Sequence, residues 1–324
     1  MPKVKLYYIS YLRVFATLLV VLYHCLCFYT PIWSKDPTVY VNVYIYLTKV
    51  FQYIHMPLFF FISGYLFFYF SKLGKYSDLR HFVITKIRRL LIPLFFWSII
   101  VFCFVSTRTL SSFLYNGASH LWFCGSLFII FFCFGIFRKK WLSSKKKTDL
   151  VVWFILLSLS LIIMKFDMPV FLARAVLYAY VFFAGMFFSK YNVVLSKYHL
   201  LGFLPLFVLP LIIQQFSGQR VVFSIIGFYN VAALFSVVKE NLHYSPDRIL
   251  VAFFINLVDR HSMGIYLIHH IIIQFLLLND LFKNLMIDYY YIVPFILFFV
   301  VLIVCLIVSI VMNKNKILGM LVGG

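Results

Sequence analysis

Long apolar stretches, separated by short polar connections, follow one another along almost the whole chain. Division of the sequence at its charged residues leaves ten long charge-free windows: 14–34, 50–71, 90–107, 109–137, 150–164, 175–189, 198–219, 221–238, 261–279 and 289–313. Eight of these windows are long enough for a helix to cross a bilayer, and 150–164 and 175–189 need flanking residues to complete a span. The alternation of apolar and polar residues that marks a membrane barrel is missing. The pattern therefore predicts an all-α integral membrane protein, a bundle of about ten transmembrane helices.

Composition supports a membrane location, and the positive charges orient the chain. Of the 324 residues, 64% are hydrophobic, and the mean hydropathy of +1.00 is well above that of a soluble domain. With the N-terminus in the cytoplasm, 21 of the 29 lysines and arginines fall in inner segments and 7 in outer ones. This asymmetry obeys the positive-inside rule and predicts that both termini are cytoplasmic. The formal net charge of +20 follows from this topology, so it does not indicate a nucleic-acid partner.

The first window places an arginine and a histidine on one helix face. Arg13 and His24 are eleven residues apart, with no other charge between them. Eleven residues turn a helix by about 1100°, which is three turns plus about 20°, and advance it by about 16 Å. A guanidinium inside a membrane helix costs roughly 2.5–3.5 kcal/mol on insertion scales, so it needs a compensating interaction or a task. This pair is the strongest candidate for a functional couple.

Further histidines lie in apolar windows, and each has a plain alternative explanation. His55, His120 and His269 are predicted in the outer half or the middle of their helices, where several imidazoles could converge. A buried histidine is equally explained by packing with a hydrogen bond to a backbone carbonyl or a hydroxyl. Three histidines could also bind zinc, but no pair among them has the i, i+4 spacing, so no metal is predicted.

The nine acidic residues are all expected in loops or at helix ends. The lack of a carboxylate at membrane depth argues against a proton- or sodium-coupled transporter. It also means that a carbonyl, a hydroxyl or a tyrosine such as Tyr266 has to orient the His24 imidazole.

Two further segments could contact substrates. The run Lys86-Ile-Arg88-Arg89-Leu-Leu-Ile-Pro93 is predicted to open the third helix at the inner face. This run is either an ordinary basic segment that flanks a membrane helix on the inner side or a binding site for phosphates. The planar guanidinium groups of arginine match the geometry of phosphate oxygens. The run from His120 to Phe123 is predicted to open the fourth helix, where Trp122 is either an interfacial anchor or a platform for a sugar ring.

Taken together in this order and spacing, these segments resemble the acyltransferase 3 family of membrane enzymes. The resemblance covers nearly the whole chain and indicates one membrane domain over residues 1–324. The segments that show the resemblance are Tyr11-Leu12-Arg13 with Tyr23-His24, Pro57 to Tyr65, Lys86 to Pro93, His120 to Phe123, and Ser262 to His269. Without a fused soluble domain, the chain is similar to the stand-alone O-acetyltransferases of bacterial surface glycans. Many relatives carry an acidic residue within the bundle, and none is expected here.

The resemblance implies a multi-pass enzyme of the bacterial cytoplasmic (inner) membrane. It would transfer an acyl group, most simply acetyl from cytosolic acetyl-CoA, to a hydroxyl of a lipid-linked or surface polysaccharide. The essential pair of the family maps onto Arg13 and His24, and its basic helix-3 motif, which would hold the CoA phosphates, maps onto Arg88 and Arg89, with Lys86 beside them.

The residues leave the roles within this reaction open. His24 acts either as a general base or as a transient acyl carrier, and Arg13 either holds the donor or keeps the inner helix end in register. The acceptor site is expected to be lined by His120, Trp122, His55, Tyr266 and His269. A glycan exporter or flippase is the alternative function, and binding of acetyl-CoA discriminates between the two.

Overall fold

A computed structural model describes residues 6–33, 39–104, 109–163, 165–195, 219–242, 246 and 248–324. Every regular element within these ranges is helical, which confirms the all-α prediction. Seven helices in the described ranges are long and apolar enough to cross a membrane. Nearly all of window 198–219 lies outside the described residues, so the count of about ten helices stays a prediction, as does the cytoplasmic location of the termini.

The helices of the described chain are numbered here in chain order. They are α1 (Tyr7–Leu26), α2 (Asn42–Lys72), α3 (Leu79–Lys86), α4 (Ile92–Phe104), α5 (Leu110–Asn116), α6 (Trp122–Ile136), α7 (Arg138–Ser143), α8 (Lys146–Ile163), α9 (Val170–Tyr191), α10 (Gln219–Asn241), α11 (Ile249–Leu276), α12 (Asp280–Asp288), α13 (Val293–Asn313) and α14 (Lys316–Leu321). Short 3₁₀ turns lie at Cys27–Tyr29 and Ser119–Leu121, and a π-helical turn at Ile87–Leu91 joins α3 to α4.

The helices extend past charged residues that bounded the predicted windows. Helix α9 covers 22 residues because flanking residues complete the short window 175–189, as predicted. Helix α11 begins at Ile249 rather than near position 261, so it contains Asp259 and Arg260. A charged residue ends a lipid-compatible stretch but not a helix, since its backbone hydrogen bonds continue unchanged.

The described chain divides into two compact units. The first comprises residues up to Phe59 together with Val194–Ser309, and the second comprises Phe60–Val193 together with Ile310–Gly324. Helices α2 and α13 each contribute to both units.

In the first unit, α1 packs against α11 with both helices running in the same direction. Ser10 and Arg13, early in α1, contact Asp259 early in α11. Towards the other end of α1, His24 contacts His269 of α11. Two parallel membrane helices have an odd number of crossings between them, and this agrees with their predicted places as the first and ninth helices.

In the second unit, α2 and α9 cross with their backbones in contact. A Cβ on Gly64 would collide with the carbonyl oxygen of Phe182, and one on Gly185 would collide with that of Phe61. Backbone atoms cannot rotate away as side chains do, so only glycine fits at either position. Gly64 and Gly185 therefore permit the close approach of α2 and α9.

Candidate active site

Arg13 forms an ion pair with a carboxylate that lies inside a helix. Its Nη1 donates to Asp259 Oδ1 at 2.7 Å, and the Ser10 hydroxyl donates to Asp259 Oδ2 at 2.8 Å. The side chains of Arg13 and Asp259 are 29% and 12% exposed. The expectation that all acidic residues lie in loops or at helix ends is therefore wrong for Asp259. The carboxylate compensates the guanidinium charge and fixes the register of α1 against α11.

The His24 imidazole is held by its Nδ1 atom. This nitrogen lies 2.9 Å from the Val20 carbonyl oxygen, one helical turn earlier. A carbonyl oxygen only accepts, so Nδ1 carries the proton and Nε2 of the neutral ring carries the lone pair. The orienting group is thus a backbone carbonyl, one of the alternatives that the sequence left open. Tyr266, the other candidate, has its ring centroid 6.1 Å from that of His269.

His269 supports the His24 imidazole from α11. Its Nδ1 lies 2.9 Å from the Ile265 carbonyl oxygen, so its Nε2 is the accepting nitrogen in the neutral ring. That Nε2 lies 3.1 Å from His24 Nδ1. The Nδ1–H group of His24 is therefore shared between a carbonyl and a second imidazole, which fixes the ring more firmly than either partner alone. The structure places His269 beside the candidate base, where it contacts His24 directly.

Other aromatic rings enclose the two imidazoles. The His55 ring centroid lies 5.0 Å from that of Tyr23, and the His270 centroid lies 4.9 Å from that of His24. His55 Nδ1 also contacts the carbonyl of the preceding turn, at Phe51, so it follows the same pattern as the other two histidines. His24 is 9% exposed, His270 5% and His55 2%. Four histidines of the first unit therefore lie close together and are buried: His24, His55, His269 and His270.

Trp33 completes this cluster and was not a sequence candidate. Its ring centroid lies 5.2 Å from that of His270 and 6.1 Å from that of His24. A tryptophan at the end of an apolar window has the same sequence pattern as an ordinary interfacial anchor. Only its placement after the 3₁₀ turn that ends α1 reveals the contact.

The basic motif of the second unit lies in the middle of a long helix instead of opening one. Asp78 caps α3, and the π-helical turn Ile87–Leu91 carries Arg88 and Arg89. A π turn re-pairs backbone groups where Pro93 lacks an N–H, which explains the irregularity at this point. Both arginines are exposed. The structure therefore presents two exposed arginines at consecutive positions of an irregular turn, available to an anionic ligand.

Lys86 is engaged by aromatic rings. Its ammonium lies 3.6 Å from the ring centroid of Phe131, 5.4 Å from that of Phe82 and 5.5 Å from that of Tyr76. Burial raises the pKa of the Tyr76 hydroxyl above its ordinary value, while the Arg89 charge opposes that shift, so the hydroxyl is neutral at physiological pH. The cation–π contacts hold the Lys86 ammonium against these three rings.

The segment after α13 packs onto the same motif. Arg89 Nε donates to the Gly323 carbonyl at 3.3 Å, and Trp97 Nε1 donates to the Leu321 carbonyl at 2.8 Å. The Nε bond orients the guanidinium plane and leaves its terminal nitrogens as donors.

His120 and Trp122 lie together at the start of α6, as predicted. His120 is buried in the 3₁₀ turn Ser119–Leu121. Trp122 stacks on Tyr178 with 5.7 Å between ring centroids, and the Arg174 guanidinium lies 5.2 Å from the Trp122 centroid. Among the described residues, no group of three or more histidines, cysteines or carboxylates is arranged to hold a metal ion.

Comparison with known proteins identifies the family. The sequence model of the acyltransferase 3 family, described as an acyltransferase domain, matches residues 6–314, which is nearly the whole chain. No curated protein and no solved structure matches this chain. The helices long and apolar enough to cross a membrane lie within the matched region. The chain is therefore a multi-pass membrane protein that belongs to the acyltransferase 3 family.

Proposed function

We propose that this protein is an O-acyltransferase of the bacterial inner membrane. It takes an acyl group, acetyl in the simplest case, from cytosolic acyl-CoA and delivers it to a hydroxyl of a lipid-linked or surface polysaccharide. Membership of the family supports acyl transfer in general. The donor, the acceptor and the acetyl group are parts of the proposal.

The observation that carries this proposal is the hydrogen bonding of His24. Its Nδ1–H is shared between the Val20 carbonyl and His269, so Nε2 carries the lone pair of a fixed, largely buried ring. A general base needs this tautomer, with its second nitrogen oriented by an acceptor.

The reaction balances with His24 as the base. Nε2 removes the proton of the acceptor hydroxyl as its oxygen attacks the thioester carbonyl. The carbon–sulfur bond then breaks, the imidazolium returns its proton to the CoA thiolate, and an oxygen ester and CoA-SH leave. In the acyl-carrier alternative, Nε2 would itself attack the thioester, the carbon–sulfur bond would break, and CoA would leave as the thiol with the imidazole proton. The acceptor hydroxyl would then attack the acyl-imidazole, take the acyl group and return its proton to His24.

Arg13 is a positioning residue in this account. Its guanidinium binds Asp259, and both residues lie on the two helices that also carry His24 and His269. The ion pair thereby sets the register that brings the two imidazoles within 3.1 Å. Arg88 and Arg89 bind the phosphates of CoA, because planar guanidinium forks match phosphate oxygens and both groups are exposed.

The proposal is tested with inverted membrane vesicles that contain the protein and are supplied with [14C]acetyl-CoA. We expect label in the extracted lipid-linked or surface glycan, with loss of the matching O-acetyl NMR signals when the gene is deleted. Vesicles without the protein are the control. An exporter would move glycan without consuming acetyl-CoA, so glycan transport with no labelled product would overturn the proposal.

The two roles of His24 are separated in the same system. Rapid quenching after addition of labelled acetyl-CoA, without acceptor, should leave the protein unlabelled if His24 is a base. Label on the protein that His24→Ala removes would show an acyl carrier instead.

A further inference from the structure

Arg174 lies among aromatic side chains of the second unit. It belongs to the N-terminal part of α9, and its guanidinium carbon lies 5.2 Å from the Trp122 ring centroid. The same guanidinium also interacts with the Tyr178 hydroxyl, one turn further along α9. The rings beneath are nearly parallel: Trp122 and Tyr178 are inclined by 14°, and Tyr178 and Phe60 by 7° with centroids 4.6 Å apart. Arg174 therefore lies against Trp122, which belongs to a group of three nearly parallel rings, and Arg174 is itself only partly exposed.

No carboxylate among the described residues forms an ion pair with this guanidinium. The ion pairs within the described ranges are Arg13–Asp259, Lys190–Asp149 and Lys283–Asp280, and none involves Arg174. A partly buried guanidinium is costly without a counter-charge. Its position near the N-terminal end of a helix adds to the cost, because the helix dipole is positive there.

Cation–π contacts compensate the charge of Arg174 less completely than they compensate the charge of Lys86. The Lys86 ammonium has three rings within 5.5 Å, the nearest at 3.6 Å. Arg174 has one ring at 5.2 Å and one hydroxyl partner. A guanidinium has five N–H donors in a planar fork, so several of them remain for a ligand.

We propose that Arg174 and Trp122 form a binding site for an oxyanion, a carboxylate or a phosphate. The guanidinium fork pairs with two oxygens, and the indole packs against the attached apolar surface or sugar face. Resting on the proposed function, the oxyanion is a charged group of the acceptor glycan, so the site selects acidic acceptors. The phosphate of a bilayer lipid has the same chemistry and is the second source to be tested.

Binding is measured without any acyl transfer, so it stands or falls separately from the proposed reaction. The protein is labelled with 5-fluorotryptophan and placed in phosphatidylcholine nanodiscs, and Trp122→Phe identifies the ¹⁹F signal of Trp122 among the five tryptophans. Methyl β-glucuronoside is the charged probe, and methyl β-glucoside is its neutral match. We expect a saturable shift of the Trp122 signal with the glucuronoside and no shift with the glucoside.

Variants of Arg174 assign the binding to the guanidinium. Arg174→Gln should weaken glucuronoside binding at least tenfold, and Arg174→Lys, which keeps the charge without the fork, should weaken it less. Lys165→Gln removes the same charge from an exposed residue on the same predicted side and should bind as the wild type does.

The lipid source is tested in phosphatidylglycerol nanodiscs before any sugar is added. A Trp122 shift there that Arg174→Gln abolishes would support the oxyanion site and assign its ligand to the bilayer, overturning the acceptor assignment. Equal responses to glucuronoside and glucoside, or a full response in Arg174→Gln, would overturn the site itself. So would the absence of a shift in every arm.

Discussion

Arg13 donates to Asp259 at 2.7 Å across two parallel helices, and this contact explains how α1 carries a charge through an apolar segment. The carboxylate also accepts from Ser10, so both of its oxygens are used. Ten residues further along α11, His269 meets His24. The ion pair and the imidazole pair thus lie on the same helix–helix interface. We therefore expect that loss of the ion pair alters the contact between His24 and His269.

Asp259→Asn should destabilise the protein by about 1–2 kcal/mol, because the amide keeps the shape but leaves the Arg13 charge uncompensated in a partly buried position. Thermal unfolding in detergent measures this change. Asp280→Asn is the matched control, since its carboxylate is 91% exposed and lies 3.9 Å from Lys283. Equal unfolding midpoints for the two variants would contradict a structural role of the Arg13–Asp259 pair.

Asp259 was missed in the sequence for a physical reason. Division at charged residues finds stretches that lipid tolerates, whereas a helix continues through any residue that keeps its backbone hydrogen bonds. Asp259 and Arg260 therefore marked a boundary in the pattern but lie inside α11 in the fold. The partner of Asp259 is 246 positions away in the chain, so no local signal could identify it.

His269→Phe should lower kcat by roughly twofold to tenfold, the value of one net hydrogen bond, because phenylalanine fills the space but cannot accept from His24 Nδ1. KM for acetyl-CoA should stay unchanged, since the His24–Val20 bond and the donor motif remain. Steady-state kinetics with purified protein give both constants. His269→Asn, which restores an acceptor, should recover part of kcat; no recovery, or a change in donor KM alone, would assign His269 a packing role.

Arg88→Gln with Arg89→Gln should raise KM for acetyl-CoA by roughly tenfold to a hundredfold for each charge-assisted hydrogen bond lost. Arg80→Gln removes an exposed charge from α3 on the same predicted side and is the matched control. Titration of the donor at saturating acceptor measures the effect. An unchanged donor KM in the double variant would mean that these arginines serve only to orient the chain in the membrane.

The sequence predicted features that depend on short-range pattern and missed those that depend on long-range packing. Gly64 stands beside Ser63 in an aromatic run, and such a small pair permits close helix approach. Gly185 has the same local pattern, beside Ala184 among phenylalanines, but its contact with the backbone of α2 depends on the fold. The shared face of Arg13 and His24 follows from helical geometry, whereas the contact between Trp33 and His270 requires the fold.

The most direct test of the central claim is acetyl transfer by His24→Ala in proteoliposomes. Transfer from [14C]acetyl-CoA to the glycan should fall by about 10²–10⁴, the range of general base catalysis. Protein abundance and unfolding midpoint should stay near the wild-type values, and His81→Ala, an exposed histidine of α3, should retain full activity. Wild-type acetyl transfer by a folded His24→Ala protein would contradict the account.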